Sequence, residues 1–113
     1  MITIYHNPRC RKSREGLALL EESGKEFEVV KYLDSRLSFD ELSEIINKLD
    51  IKPLELVRKN EAIWKSDYKG KDLTNEELIK VMIQHPKLIE RPIVINKNKA
   101  LIGRPTEYIN TIL

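Results

Sequence analysis

The sequence predicts an α/β fold: a mixed four-stranded sheet with a helical insertion at about residues 36–88. Three observations point there. Short β-branched and aromatic runs at 2–5 and 27–30 enclose a helical pattern, the order of a parallel strand–helix–strand unit. Two capping boxes, at Ser38 and Thr74, open helices in the middle of the chain. Near the end, apolar runs at 93–95 and 100–102 flank a polar turn, the mark of an antiparallel hairpin.

Taken in order, Ile2-Thr3-Ile4-Tyr5 reads as a short strand and Asn7-Pro8 breaks it. A helix begins near Cys10 or Arg11, carries Leu17 and Leu20 on its apolar side, runs to Ser23 and is stopped by Gly24. Phe27 to Val30 reads as the second strand, which favours a right-handed crossover between parallel neighbours. In Ser38-Phe39-Asp40-Glu41 the serine and glutamate satisfy each other's free backbone donors, and Leu42, Ile45, Ile46 and Leu49 follow on one helix face. Short helices are expected from Pro53 to Trp64, around Leu54, Leu56 and Val57, then a polar loop at Tyr68-Lys69-Gly70-Lys71. Thr74-Asn75-Glu76-Glu77 starts another helix, with Leu78, Val81 and Met82, which ends before Pro86. After the hairpin, Gly103-Arg104-Pro105 leads into a last short helix, with Pro105 in its first turn. There is no repeat, low-complexity tract or linker. A thioredoxin-like sheet with a helical insert fits this order.

Composition narrows the function. The chain has 113 residues, enough for one domain with a real core. Apolar residues make up 41% and charged residues 34%, which excludes a disordered chain. Lys and Arg number 20 against 18 acids, and a net charge of +2 gives no case for nucleic acid. No apolar run approaches a bilayer span, and the strand-like start is unlike a signal peptide, so a cytoplasmic protein is expected. One cysteine allows no internal disulfide and suits a reducing compartment. With only His6 and His85 to add, it also excludes a zinc site.

The lone cysteine is the most informative residue. Cys10 follows a strand and opens a helix, where free N–H groups and the helix dipole favour a negative sulfur. Arg9, Arg11, Lys12 and Arg14 crowd the same turn and are expected to push the same way. A lone cysteine is usually a small buried apolar residue, but one set among so many cations reads as a reactive thiolate. The partner position of a Cys-x-x-Cys motif is held by Ser13, so a second thiol must come from another molecule. Ser13 either bonds the thiolate or is an ordinary first-turn residue. His6 either tunes the thiolate or relays a proton, or is a satisfied loop histidine. His85 reads as a helix-end residue. Arg58, Arg91 and Arg104 each read singly as surface residues. An Arg-Pro pair before a strand or helix fixes the backbone, however, and can aim Arg91 and Arg104 into a sheet-edge site. The planar guanidinium suits tetrahedral oxyanions. A thiolate beside such a pocket suggests attack of sulfur on a tetrahedral centre.

These residues carry a resemblance. Tyr5-His6-Asn7-Pro8-Arg9-Cys10-Arg11-Lys12-Ser13-Arg14 resembles the opening of glutaredoxin-coupled arsenate reductases. Leu56-Val57-Arg58-Lys59-Asn60, Gln84-His85-Pro86, Glu90-Arg91-Pro92-Ile93-Val94 and Gly103-Arg104-Pro105 look like the later blocks of that family, in the same order. The resemblance covers essentially the whole chain and implies a single thioredoxin-like domain over residues 1–113. It implies that Cys10 attacks arsenate, that Arg58, Arg91 and Arg104 bind it and its arsenic intermediates, and that His6 and Ser13 belong with Cys10 in the catalytic set. Pro92 would match the cis-proline beside the active site of thioredoxin-like folds. The implied setting is arsenic detoxification by a cytoplasmic monomer. It has no bound cofactor or metal, glutathione as co-substrate, glutaredoxin as reductant, and no nucleic-acid or membrane partner. The same family also contains Spx-type regulators that bind RNA polymerase, and arsenate reductase-like thiol oxidoreductases with other substrates.

Overall fold

The computed structural model describes residues 1–113. They divide into two compact units, residues 1–35 with 91–113, and residues 36–90. The second unit is the expected helical insertion, two residues longer than its predicted end.

In the first unit, β1 (Ile2–Tyr5) alternates buried Ile2 and Ile4 with half-buried Thr3 and Tyr5, because successive strand side chains point to opposite faces. It pairs in parallel with β2 (Phe27–Val30), Ile2 opposite Phe27 and Tyr5 opposite Val30. The crossover is α1 (Arg11–Ser23), which stops at Gly24 with φ 73°, a left-handed cap that costs glycine nothing. On its other side β1 pairs antiparallel with β3 (Ile93–Asn96), so that Tyr5 faces Ile93. β4 (Lys99–Ile102) returns against β3 through a tight turn at Lys97 and Asn98, with Lys97 at φ 59°. The order β2-β1-β3-β4 gives the mixed four-stranded sheet that the sequence predicts. The buried cluster of Ile2, Ile4, Leu20, Val94 and Ile109 joins β1, α1, β3 and the last helix. Each such side chain contributes about 1.5–3 kcal/mol of burial.

That last helix is a 3-10 segment, Thr106–Ile112, and it corrects one expectation. Pro105 does not sit in its first turn but caps it from an extended conformation, φ −66° and ψ 160°. Both Arg91–Pro92 and Arg104–Pro105 are cis peptide bonds. The first was expected and the second was not.

In the second unit, α2 (Phe39–Leu49) and α3 (Asn75–Gln84) start at complete capping boxes, Ser38 with Glu41 and Thr74 with Glu77. They pack on each other, with Leu42, Ile45, Ile46, Leu78, Ile79 and Met82 buried. A 3-10 turn at Pro53–Leu56 and a π-helix at Trp64–Tyr68 lie between them. Tyr68 is therefore helical, not part of a polar loop. Its ring stacks on Trp64 at 5.9 Å between centroids, and the Lys69 N–H closes the wide turn on the Trp64 carbonyl at 2.8 Å. Val57 bridges to Ile89 in antiparallel fashion, flanked by hydrogen bonds from Arg58 N–H to Leu88 and from Glu90 N–H to Leu56. No helix is long and apolar enough to cross a membrane.

Candidate thiolate site

The loop from β1 to α1 is built by Asn7, a residue that tolerates turn conformations and bonds its own backbone neighbours. Its side-chain oxygen accepts the Arg9 N–H at 3.0 Å, and its carbonyl accepts the Cys10 N–H at 3.0 Å. Its own N–H donates to Ser13 Oγ at 2.9 Å, and that hydroxyl lies 2.7 Å from His6 Nδ1. The His6 N–H donates to the Val30 carbonyl, which ties the loop to β2. With the Asn7 N–H on its oxygen, we assign the Ser13 hydroxyl proton to His6 Nδ1, which leaves a neutral ring protonated on Nε2. Burial lowers the His6 pKa from its ordinary 6.5, with the positive charges of Lys31 and Arg14 acting in the same sense; the backbone of Ser13 offsets part of this.

Cys10 is the N-cap of α1, in an extended conformation with φ −94° and ψ 123°. Its sulfur is half-buried. Burial alone pushes the thiol pKa up. The Ser13 N–H, a hydrogen bond from the Arg91 side chain, the charge of Arg91 and the Lys12 N–H outweigh it, so the pKa falls below the ordinary thiol value. Arg104 approaches from the other side, with Nη2 donating to Cys10 Sγ at 3.5 Å. Its Nε donates to the Arg91 carbonyl at 2.9 Å, which locks the guanidinium in place. Arg91 is only 8% exposed. The two cis-proline bends are joined by Gly103 N–H, which donates to the Pro92 carbonyl at 2.8 Å.

The first unit thus brings Cys10, His6, Ser13, Arg91 and Arg104 together. It also corrects the expected source of the thiolate's stabilisation. Arg9, Arg11, Lys12 and Arg14 are exposed. Arg14 donates to the Pro8 carbonyl and Lys12 lies 3.6 Å from Glu15. The backbone N–H groups of Lys12 and Ser13 act on the sulfur, together with the distant Arg91. Ser13 does bond the thiolate, but through its backbone N–H, while its buried hydroxyl holds the loop. Arg58 belongs to the second unit, where its Nε lies 3.6 Å from Glu90 and 3.8 Å from Glu61. His85 closes α3 and faces Tyr68, as a helix-end residue.

Sequence reasoning missed Asn7 as the residue that shapes the loop; an Asn-Pro pair directly before a reactive cysteine was the available signal. No group of three His, Cys, Asp or Glu side chains comes together to ligate a metal. Chemically, a lowered-pKa thiolate under two guanidinium groups is equipped to attack the central atom of an oxyanion whose oxygens those groups hold.

Comparison with known proteins agrees with this chemistry. The family model described as the ArsC family matches residues 5–112. A protein from Haemophilus influenzae named arsenate reductase is 46% identical over 114 residues, covering 99% of this chain and 98% of its own. One of the same name from Neisseria meningitidis is 44% identical, covering 99% and 97%. The solved structure described as arsenate reductase from Vibrio cholerae is 42% identical, with a TM-score of 0.95 over 99% of this chain and 97% of that one. The fold is the thioredoxin-like α/β fold of these proteins, and the chain belongs to the ArsC family.

Proposed function

We propose that this protein reduces arsenate to arsenite, with Cys10 as nucleophile and with glutathione and glutaredoxin supplying the electrons. The carrying observation is the lowered-pKa sulfur of Cys10 with Arg104 Nη2 at 3.5 Å and Arg91 hydrogen-bonded to the same atom. The names of full-length relatives supply the substrate.

In this reading Arg91 and Arg104 hold the oxygens of arsenate and neutralise its charge. The Cys10 thiolate attacks arsenic; a sulfur–arsenic bond forms and one oxygen leaves as water after protonation. Glutathione displaces a second oxygen, also as water, so that As(V) carries two sulfurs. The glutaredoxin thiolate then attacks the glutathione sulfur. That arsenic–sulfur bond breaks, its electron pair stays on arsenic, and a glutaredoxin–glutathione disulfide leaves. Arsenic is now As(III). Water cleaves the remaining bond to Cys10, releasing arsenite and restoring the thiolate. His6 and Ser13 act by holding the loop that presents the sulfur.

The lone cysteine supports an outside source of both reducing thiols, because no second cysteine exists to close a disulfide within the chain. It also suits a reducing, cytoplasmic setting. The enzyme acts as a monomer without a bound cofactor. The regulator reading gains no support: the place of a switch cysteine is held by Ser13, whose hydroxyl is committed to His6 and Asn7. The test is arsenite production from arsenate with glutathione and glutaredoxin, comparing wild type with Cys10→Ser. Turnover lost in the variant supports the reading; no turnover by the wild type ends it.

A further inference from the structure

Arg91 and Arg104 are tied into a single piece. Arg104 Nε donates to the Arg91 carbonyl at 2.9 Å, and the neighbouring Gly103 N–H donates to the Pro92 carbonyl at 2.8 Å. The sulfur rides on a different element, the N-cap of α1. Apolar packing seats the arginine pair against that helix. A Cβ on Gly16 of α1 would meet Pro92 Cγ at 2.9 Å and Ile109 Cδ1 at 3.2 Å; one on Gly103 would meet the same two atoms at 3.0 Å each. The Pro92 ring and the tip of Ile109 therefore fill a cup with two glycine walls. One wall directly precedes Arg104, and the other lies on the helix that bears Cys10. Pro92 itself directly follows Arg91. Ile109 is 0% exposed and comes from the last helix, which packs on both α1 and β4.

We propose that Ile109 is a positioning residue for the reaction at Cys10: its terminal methyl seats Pro92 and Gly103 against α1 and so sets the distance of both guanidinium groups from the sulfur. Ile109 acts through Arg91 and Arg104 and carries no chemistry of its own. A close-packed interior transmits the loss of one methyl to its neighbours. The Arg104 Nη2 to Cys10 Sγ distance of 3.5 Å leaves little room for retreat, because hydrogen bonds weaken as donor and acceptor separate. The assignment rests on the reading of Cys10 as a thiolate nucleophile and adds to it a control from the far end of the chain.

The test compares two matched deletions in the intact chain and needs no arsenate. Ile109→Val removes Cδ1 alone. Ile2→Val makes the same deletion in the same buried cluster, at the end of β1 away from the Cys10 loop. Thermal unfolding and the pH profile of Cys10 alkylation by iodoacetamide are measured for both. The two variants are expected to lose similar amounts of Tm. Ile109→Val is expected to raise the alkylation midpoint by about half a pH unit, which slows the reaction about threefold on the rising limb of the profile. Ile2→Val is expected to keep the wild-type midpoint. An unmoved midpoint in Ile109→Val, or an equal rise in both variants, overturns the assignment. A wild-type midpoint at the ordinary thiol value overturns the nucleophile reading along with it. Failure of the Ile109 variant against a lowered wild-type midpoint leaves that reading standing.

Discussion

Gly16→Ala tests how the fold holds the guanidinium groups over the sulfur. Gly16 lies on α1, fewer than two turns beyond Cys10. A Cβ there would meet Pro92 Cγ at 2.9 Å and Ile109 Cδ1 at 3.2 Å. Both neighbours are fully buried, and the proline ring has no rotamer into which to retreat. Two effects oppose each other. Alanine in a helix interior is favoured over glycine by about 1 kcal/mol. An extra methyl forced into a packed core costs about 1–3 kcal/mol. A contact under 3.0 Å against a rigid ring puts the clash near the middle of that range or above. The net expectation is a loss of about 1 kcal/mol, or about 4 °C in Tm for a chain of this size. Urea unfolding at neutral pH measures it, with an unchanged m-value as the check that only stability moved. Because Pro92 follows Arg91, the same push disturbs the Arg91 contact with sulfur and slows alkylation of Cys10 at pH 7. A variant about 1 kcal/mol more stable than wild type, as at an unobstructed helical glycine, would refute the close approach of α1 to the Arg91-Pro92 bend.

Three further expectations follow from the same loop. Ser13→Ala removes a buried oxygen that serves both the Asn7 N–H and His6 Nδ1, leaving two buried polar groups unpaired, so urea unfolding should show a loss of about 3 kcal/mol; a loss under 1 kcal/mol contradicts the bridging role. His6 is held below its ordinary 6.5, so the folded state carries fewer protons than the unfolded chain just under that pH. Stability should therefore fall between pH 7 and 5 more steeply in wild type than in His6→Asn, whose amide oxygen keeps a bond to Ser13; equal slopes refute it. Arg104→Lys loses the fork that spans the Arg91 carbonyl and Cys10 Sγ. Its arsenate affinity and its Cys10 alkylation rate at pH 7 should both drop, and an unchanged alkylation rate would show that Arg104 does not act on the sulfur.

The fold was largely legible because its signals are local. Ser38 with Glu41 and Thr74 with Glu77 each spell a cap within four residues, Gly24 marks a left-handed stop, and apolar runs around 97–98 spell a hairpin. The π-helix at Trp64–Tyr68 was not legible, because Tyr68 is drawn in by stacking on Trp64 rather than by propensity. The site was legible in membership and not in wiring. Cys10, Arg91 and Arg104 could be chosen from residue type and neighbouring prolines. Which cations reach the sulfur could not, because side chains in the same turn point outward while Arg91, 81 positions away, is brought in by β3 pairing with β1. The commitment of the Ser13 hydroxyl to His6 and Asn7 is likewise a matter of three-dimensional closure.

The claim under all of this is that Arg91 and the first N–H groups of α1 hold the Cys10 thiol below its ordinary pKa. The direct measurement is the rate of Cys10 alkylation by iodoacetamide from pH 5 to 10. The account expects the rate to rise and level off with a midpoint below the ordinary thiol value of about 8.5. A midpoint at or above that value would contradict it.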